Sequence, residues 1–204
     1  MNNVRHPIGT GATYAGSGVS IAAGEAAVRL MKPHTQKTHR SEVIGGIGGF
    51  AALFRMPLHR FRDPVLASST DGVGTKSAIA QAMDVHGTIG IDLVAMVVDD
   101  LVACGAEPLF LQDYIACGKL DPQRIASIVS GIADGCVLAG CALVGGETAE
   151  HPGLMAADDY DLAATAVGVV EAESILGPER VRGGDVVLGM GSSGIHSNGY
   201  SMVR

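Results

Sequence analysis

Within seven residues, Thr70-Asp71-Gly72-Val73-Gly74-Thr75-Lys76 sets a carboxylate, two glycines and an ammonium side by side. The run follows a short apolar stretch at 64–70 and opens a segment of helical composition at 75–84. A strand entering a helix presents free backbone N–H groups, and phosphate binds there. Gly72 and Gly74 let a ligand approach the backbone, Lys76 can neutralise phosphate, and Asp71 can hold Mg²⁺. The spacing is neither a P-loop nor a dinucleotide-binding G-x-G-x-x-G. Taken alone, it could equally be a helix-initiating turn.

Four further segments carry chemistry. Asp99 and Asp100 sit in TIGIDLVAMVVDDLVAC, a stretch at 88–104 that is apolar nearly all round. Its length and Ala/Leu/Met content favour a helix, and such a helix should be buried. Buried carboxylates are costly unless paired or metal-bound. With Asp71 they suggest a shared Mg²⁺, which takes only one or two protein carboxylates besides phosphate oxygens. Glu147, in Gly145-Gly146-Glu147-Thr148, could complete that site or only cap the next turn. Gly45-Gly46-Ile47-Gly48-Gly49 could cover a phosphate or serve as a hinge, and Lys32, Lys37 and Arg40 upstream could steer anions. Finally, Ser192-Ser193-Gly194-Ile195-His196-Ser197-Asn198-Gly199 runs into a helix start, where amides and hydroxyls could hold a substrate phosphate. His196 could act there as an acid/base group or only hydrogen-bond.

The elements that position these residues follow from pattern. Residues 22–32 are expected to be a helix ending before Pro33, with a basic, Gly-rich connection over 33–50. Strands are expected at 64–70, 107–116, from CALVGGET, and at 160–171, with another beginning at VVLGM. Asp121-Pro122 reads as an N-cap followed by proline at the first helical position, starting a helix that runs to about Gly140.

Composition sets limits on the function. The 204 residues carry a net charge of −7 and no Trp, which argues against a nucleic-acid binder and against base-stacking platforms. Residues 1–62 hold eight Lys/Arg and two Asp/Glu, so the basic charge lies at the front of an otherwise acidic chain. No run of 18 uncharged apolar residues suggests a membrane helix, and the opening residues lack the apolar core of a secretory signal. Cys104, Cys117, Cys136 and Cys141 form no C-x-x-C pair and read as reduced, buried, structural thiols of a cytoplasmic protein.

In this order, AGSGVSIAAG, GGIGGF, TDGVGTK, TIGIDLVAMVVDDLVACGAEPLFLQDYIACGKL, GIADGCVLAGCALVGGETAEHPG, YDLAATAVGVVE and GSSGIHSNGYS closely resemble the phosphoribosylformylglycinamidine cyclo-ligase family. The resemblance covers essentially the whole chain. It implies an α+β first domain, residues 1–174, whose mixed sheet joins its copy across a homodimer as a barrel. Residues 175–204 would begin a second α/β domain, and the chain is expected to be truncated there and inactive alone. The implied reaction is an ATP- and Mg²⁺-dependent ring closure of formylglycinamidine ribonucleotide to aminoimidazole ribonucleotide, in purine biosynthesis. The formyl oxygen is phosphorylated, an amidine nitrogen attacks, and phosphate leaves.

By position, the resemblance makes Asp71 and Asp100 the leading Mg²⁺ residues, with Asp99 and Glu147 behind them. It assigns Lys32, Gly72, Gly74, Thr75, Lys76 and Thr148 to the nucleotide. Ser192, Ser193, Gly194, Ser197 and Asn198 go to the substrate, with His196 as the catalytic candidate. Ser20, Gly87, Asp99 and Cys117 depart from residues the family usually has there. Two other readings stay open: a non-catalytic nucleotide-binding or dimerisation module, and another ATP-dependent enzyme of the same superfamily.

Overall fold

A computed structural model describes residues 15–196 and 198–203. Helix α1 (Ile21–Gln36) is followed by a small hairpin of β1 (Val43–Ile44) and β2 (Leu53–Phe54). The main sheet holds β3 (Pro64–Gly72), β4 (Glu107–Cys117), β5 (Ala142–Glu150) and β6 (Tyr160–Glu171), in the order β3-β6-β4-β5. β6 is antiparallel to both neighbours, whereas β4 and β5 are parallel. β3, β4 and β5 therefore all run one way, and their carboxyl ends gather at one edge of the fold. This is an α+β domain with a mixed sheet.

Helices α2 (Lys76–Met83), α3 (Ile89–Ala103) and α4 (Pro122–Ala139) lie between the strands in sequence, and a short α5 (Tyr200–Val203) comes last. α3 and α4 cover one face of the sheet, and α1 packs on α4 and β5. The core forms where Leu93, Val97 and Leu101 of α3 and Ile128 and Ile132 of α4 meet Leu111 and Ile115 of β4. Burying each such side chain is worth about 1.5–3 kcal/mol. The other face is largely uncovered: Leu66, Thr70, Gln112 and Tyr114 are exposed on it.

α3 and α4 approach closely because glycines line their contact. A Cβ on Gly131 would fall on the Gly87 carbonyl, and one on Gly90 would fall on the α4 backbone at Ile128 and Ile132. α4 starts as expected, with the Asp121 carboxylate accepting from the N–H groups of Gln123 and Arg124, both at 2.9 Å.

Three expectations fail. α1 does not stop before Pro33 but runs through it to Gln36. Proline removes one helical hydrogen bond. Anchoring of the last turn offsets this: Thr35 donates to the Lys32 carbonyl, while Thr38 donates to Thr35 and accepts from Leu143 N–H at 2.9 Å. VVLGM forms no strand, because no described strand lies alongside it, and Val186, Val187, Leu188 and Met190 are exposed. α3 is not buried all round: Ile89, Leu93, Val97 and Leu101 face the core, but Asp99 and Asp100 face solvent. The remaining predicted strands and helices form within about two residues of their expected bounds.

Candidate functional site

The carboxyl ends of the three codirectional strands carry the acidic residues, and ligands of open α/β sheets gather at such ends. Asp71, Ala164, Asp113 and Gly146 form one row across the sheet, and Gly72, Ala163, Tyr114 and Glu147 form the next. Successive rows point to opposite faces. Asp71 and Asp113 thus belong to the helix-covered side, and Glu147 to the other. Glu147 also lies three strand spacings from β3, roughly 14 Å at about 4.8 Å each. Among the described residues, no three His, Cys, Asp or Glu side chains converge as a metal cage.

Packing of α3 on β3 sets Asp100 against Ser69, two residues before Asp71 on the same face of the strand. Asp71 Oδ1 accepts from Gly72 N–H at 2.7 Å, and Asp100 Oδ2 accepts from Ser69 Oγ at 2.6 Å. The second oxygen of each makes no hydrogen bond to a described residue. Two carboxylates with free oxygens suit Mg²⁺, whose other positions are filled by water and phosphate. Asp99, exposed beside Asp100, has no described partner.

The loop after Asp71 is shaped by backbone needs. A Cβ on Gly72 would meet the Leu162 carbonyl at 2.9 Å, so close strand pairing itself demands glycine there. Gly74 turns the chain into α2 with φ +58°. The Thr75 hydroxyl lies 3.1 Å from that of Ser201. Asp71, Gly72, Gly74, Thr75, Met96, Asn198 and Tyr200 line a basin of about 210 Å³, so the fold unites the two phosphate-loop candidates. Lys76 is placed differently. Its buried ammonium sits 3.1 Å from Asp92 Oδ1 and 5.1 Å from the centre of the Tyr200 ring, behind the basin.

In the second loop, Ser193 Oγ and His196 Nε2 are 2.8 Å apart, and Ser192 Oγ donates to the Gly194 carbonyl. Ser192, Ser193, Gly194 and His196 are exposed, and Ser197 lies outside the described residues.

A second cavity, of about 260 Å³, lies between α1 and the β4–β5 edge. Ala27, Val28 and Met31 of α1 line it together with Ile47 of the Gly-rich loop and Glu147 and Thr148 of β5. Three segments singled out from sequence thus meet around one apolar space. Lys32 is exposed on the same helix. Glu150 fixes the end of β5, accepting from Ser20 N–H at 3.0 Å and Leu120 N–H at 2.7 Å. Ser20 also caps α1, its hydroxyl accepting from Ala23 N–H at 3.2 Å.

Lys37 and Arg40 are engaged elsewhere. Lys37 pairs with Asp134 at 2.5 Å, and Arg40 bonds the Gly140 carbonyl and Glu42, both at 3.0 Å. The Arg40 guanidinium holds the Glu42 carboxyl down at about 2.

Sequence reasoning passed over Asp113, which lines the second cavity. Burial pushes its carboxyl up to about 7. The available signal was parity: Leu111, Asp113 and Ile115 alternate toward the core of β4, and a carboxylate at an inward strand position is unusual.

A family model described as "AIR synthase related protein, N-terminal domain" matches residues 51–170. Curated relatives named phosphoribosylformylglycinamidine cyclo-ligase include that of Geobacillus thermodenitrificans, 60% identical over 94% of this chain and 55% of its own. That of Thermosynechococcus vestitus is 58% identical over 94% and 56%. The chain spans about half the length of these relatives. Among solved structures, E. coli HypE, a hydrogenase maturation protein, aligns over 80% of this chain and 48% of its own, with 17% identity and a TM-score of 0.56. The thiamine-monophosphate kinase of Stenotrophomonas maltophilia covers 74% and 43%, with 22% identity and a TM-score of 0.54. At that identity the two share the fold. With 120 consecutive residues matched, including the Asp71 loop, α3 and the Glu147 turn, this chain belongs to the AIR synthase related family as its N-terminal domain.

Proposed function

We propose that the chain is the nucleotide-binding and dimer-forming part of a phosphoribosylformylglycinamidine cyclo-ligase. Identity near 60% to enzymes of that name, over 94% of the chain, carries the reading. The protein would close the imidazole ring of aminoimidazole ribonucleotide from formylglycinamidine ribonucleotide with ATP, releasing ADP and phosphate, in cytoplasmic purine biosynthesis. Phosphoryl transfer asks for positioning and charge neutralisation rather than a protein nucleophile.

In this reading the cavity beside α1 takes the nucleoside, near Lys32 and Thr148. Asp71 and Asp100 hold Mg²⁺, with Asp99 and Glu147 as the more distant carboxylates. Mg²⁺ supplies neutralisation of phosphate charge. Gly72, Gly74 and Thr75 form the floor of the phosphate basin, and Lys76 stands behind them, its ammonium committed to Asp92. Ser192, Ser193, Gly194, Ser197 and Asn198 hold the substrate, with His196 beside them as the acid/base candidate.

Residues 1–174 form the first domain and 175–204 begin a second. The exposed run from Val186 to Met190 supports that division. The uncovered face of the sheet supports pairing with a second copy into a barrel. In this reading residues 1–204 alone bind nucleotide without turning over.

Titration calorimetry tests the reading. ATP should bind in the presence of Mg²⁺, and Asp71→Asn should weaken that binding about tenfold or more, the scale of a lost charge-assisted contact. No binding, or binding indifferent to both Mg²⁺ and Asp71, counts against it. Turnover by residues 1–204 would refute the claim of inactivity.

A further inference from the structure

We propose that Asp113 is the specificity-determining residue of the α1 cavity, its carboxyl accepting a hydrogen bond from the 6-amino group of an adenine base. The assignment rests on the nucleotide reading above and goes beyond it, naming what the site recognises and with which atom.

The cavity walls are Ala27, Val28, Met31, Leu120, Val129 and Leu143, with the Gly145–Thr148 segment alongside. An apolar-walled space of about 260 Å³ is large enough for a purine base, and a few fixed polar groups in such a pocket set specificity. Two carboxylates belong to residues lining it, Asp113 and Glu147. Glu147 stands in the row of side chains that points to the uncovered face of the sheet. Asp113 stands in the row that points toward the cavity.

Asp113 makes no side-chain hydrogen bond to another described residue. A part-buried carboxyl against apolar walls is costly without a partner. Its place is nonetheless reserved: a Cβ on Gly146 would fall on the Asp113 carboxyl, so glycine on the neighbouring strand leaves room for it. The arrangement is a polar group held ready for a partner that comes from outside the chain, and a hydrogen-bond donor would satisfy it in either protonation state. The exocyclic amine of adenine is such a donor, set at the edge of an apolar ring. Whether ionised or neutral, the carboxyl can accept from it. The neutral acid, present near pH 7 because burial raises the pKa to about 7, can also donate to ring N1.

The test compares ATP with purine riboside triphosphate, which carries hydrogen in place of the 6-amino group. Each is titrated with Mg²⁺ into wild type, Asp113→Leu and Asp113→Asn, with folding checked by far-UV circular dichroism. Wild type should bind ATP about tenfold tighter than the analogue, as expected for one buried hydrogen bond. Asp113→Leu should bring the two affinities within about twofold. Asp113→Asn should keep the preference, since an amide matches the donor–acceptor edge of adenine. If wild type binds both nucleotides equally, or Asp113→Leu keeps the preference, the assignment fails while the nucleotide reading stands. If wild type binds neither, both fall. The wild-type comparison needs no variant, so misfolding of a variant does not blunt it.

Discussion

Asp113 and Glu42 show how the same functional group is driven in opposite directions by its surroundings. Asp113 titrates at about 7 when folded and near 3.8 when unfolded, so it is neutral in both states at low pH. Between those values the unfolded chain ionises first, and stability falls as pH rises through the folded value. Asp113→Asn removes that loss. Thermal melts should show the variant more stable than wild type by about 2 kcal/mol above pH 7, with the difference closing by pH 4. Glu42 is the reverse case. Its folded value is about 2 against an ordinary 4.5, so its stabilisation is present above 4.5 and lost as pH falls toward 2. Glu42→Gln should lower the melting temperature at pH 7, and the deficit should shrink between pH 4.5 and pH 2.

At the scale of elements, the site depends on how closely α3 and α4 meet. α3 carries Asp100 to Ser69, and its path over the sheet is set by glycines at the α4 contact. Since a Cβ on Gly131 would fall on the Gly87 backbone, neither side can yield by turning a side chain. Gly131→Ala should cost about 3 kcal/mol, the upper end for overpacking, read as a lower urea midpoint. Gly183→Ala, with open space around it, should stay within about 0.5 kcal/mol of wild type. α1 shows the complementary effect. Pro33 would end the helix if local preference decided alone, but Thr35 and Thr38 tie its last turn down to β5.

For the whole molecule, the decisive feature is a sheet covered on one side. Helices bury the face of Leu111 and Ile115, whereas Leu66, Thr70 and Tyr114 remain exposed on the other. A second copy pairing there, as the proposed barrel requires, would cover them. Sedimentation at micromolar concentration should then give a dimer, and Thr70→Arg should return it to monomer by placing a charge in the joint. A wild type that sediments as a monomer would remove the barrel from the proposal.

Much of the fold was legible in the sequence, because strands of period two, the Asp121-Pro122 cap and the apolar run of α3 are local signals. The loops Asp71–Lys76 and Ser192–Asn198 stand out as candidates for the same reason, since residue type and helix starts are local features. The union of those loops in one basin, and of α1, Ile47 and Thr148 around another cavity, was not legible. Long-range contacts decide both: Thr75 with Ser201 at the basin, and the β4–β5 pairing beneath α1 at the cavity, and no local pattern encodes them. The same register sends Glu147 to the opposite face from Asp71, while the contact of α2 with α3 sets Lys76 beside Asp92. Sequence alone determined which residues could do chemistry. Tertiary structure decided which of them meet, because faces and neighbours are properties of the packed sheet.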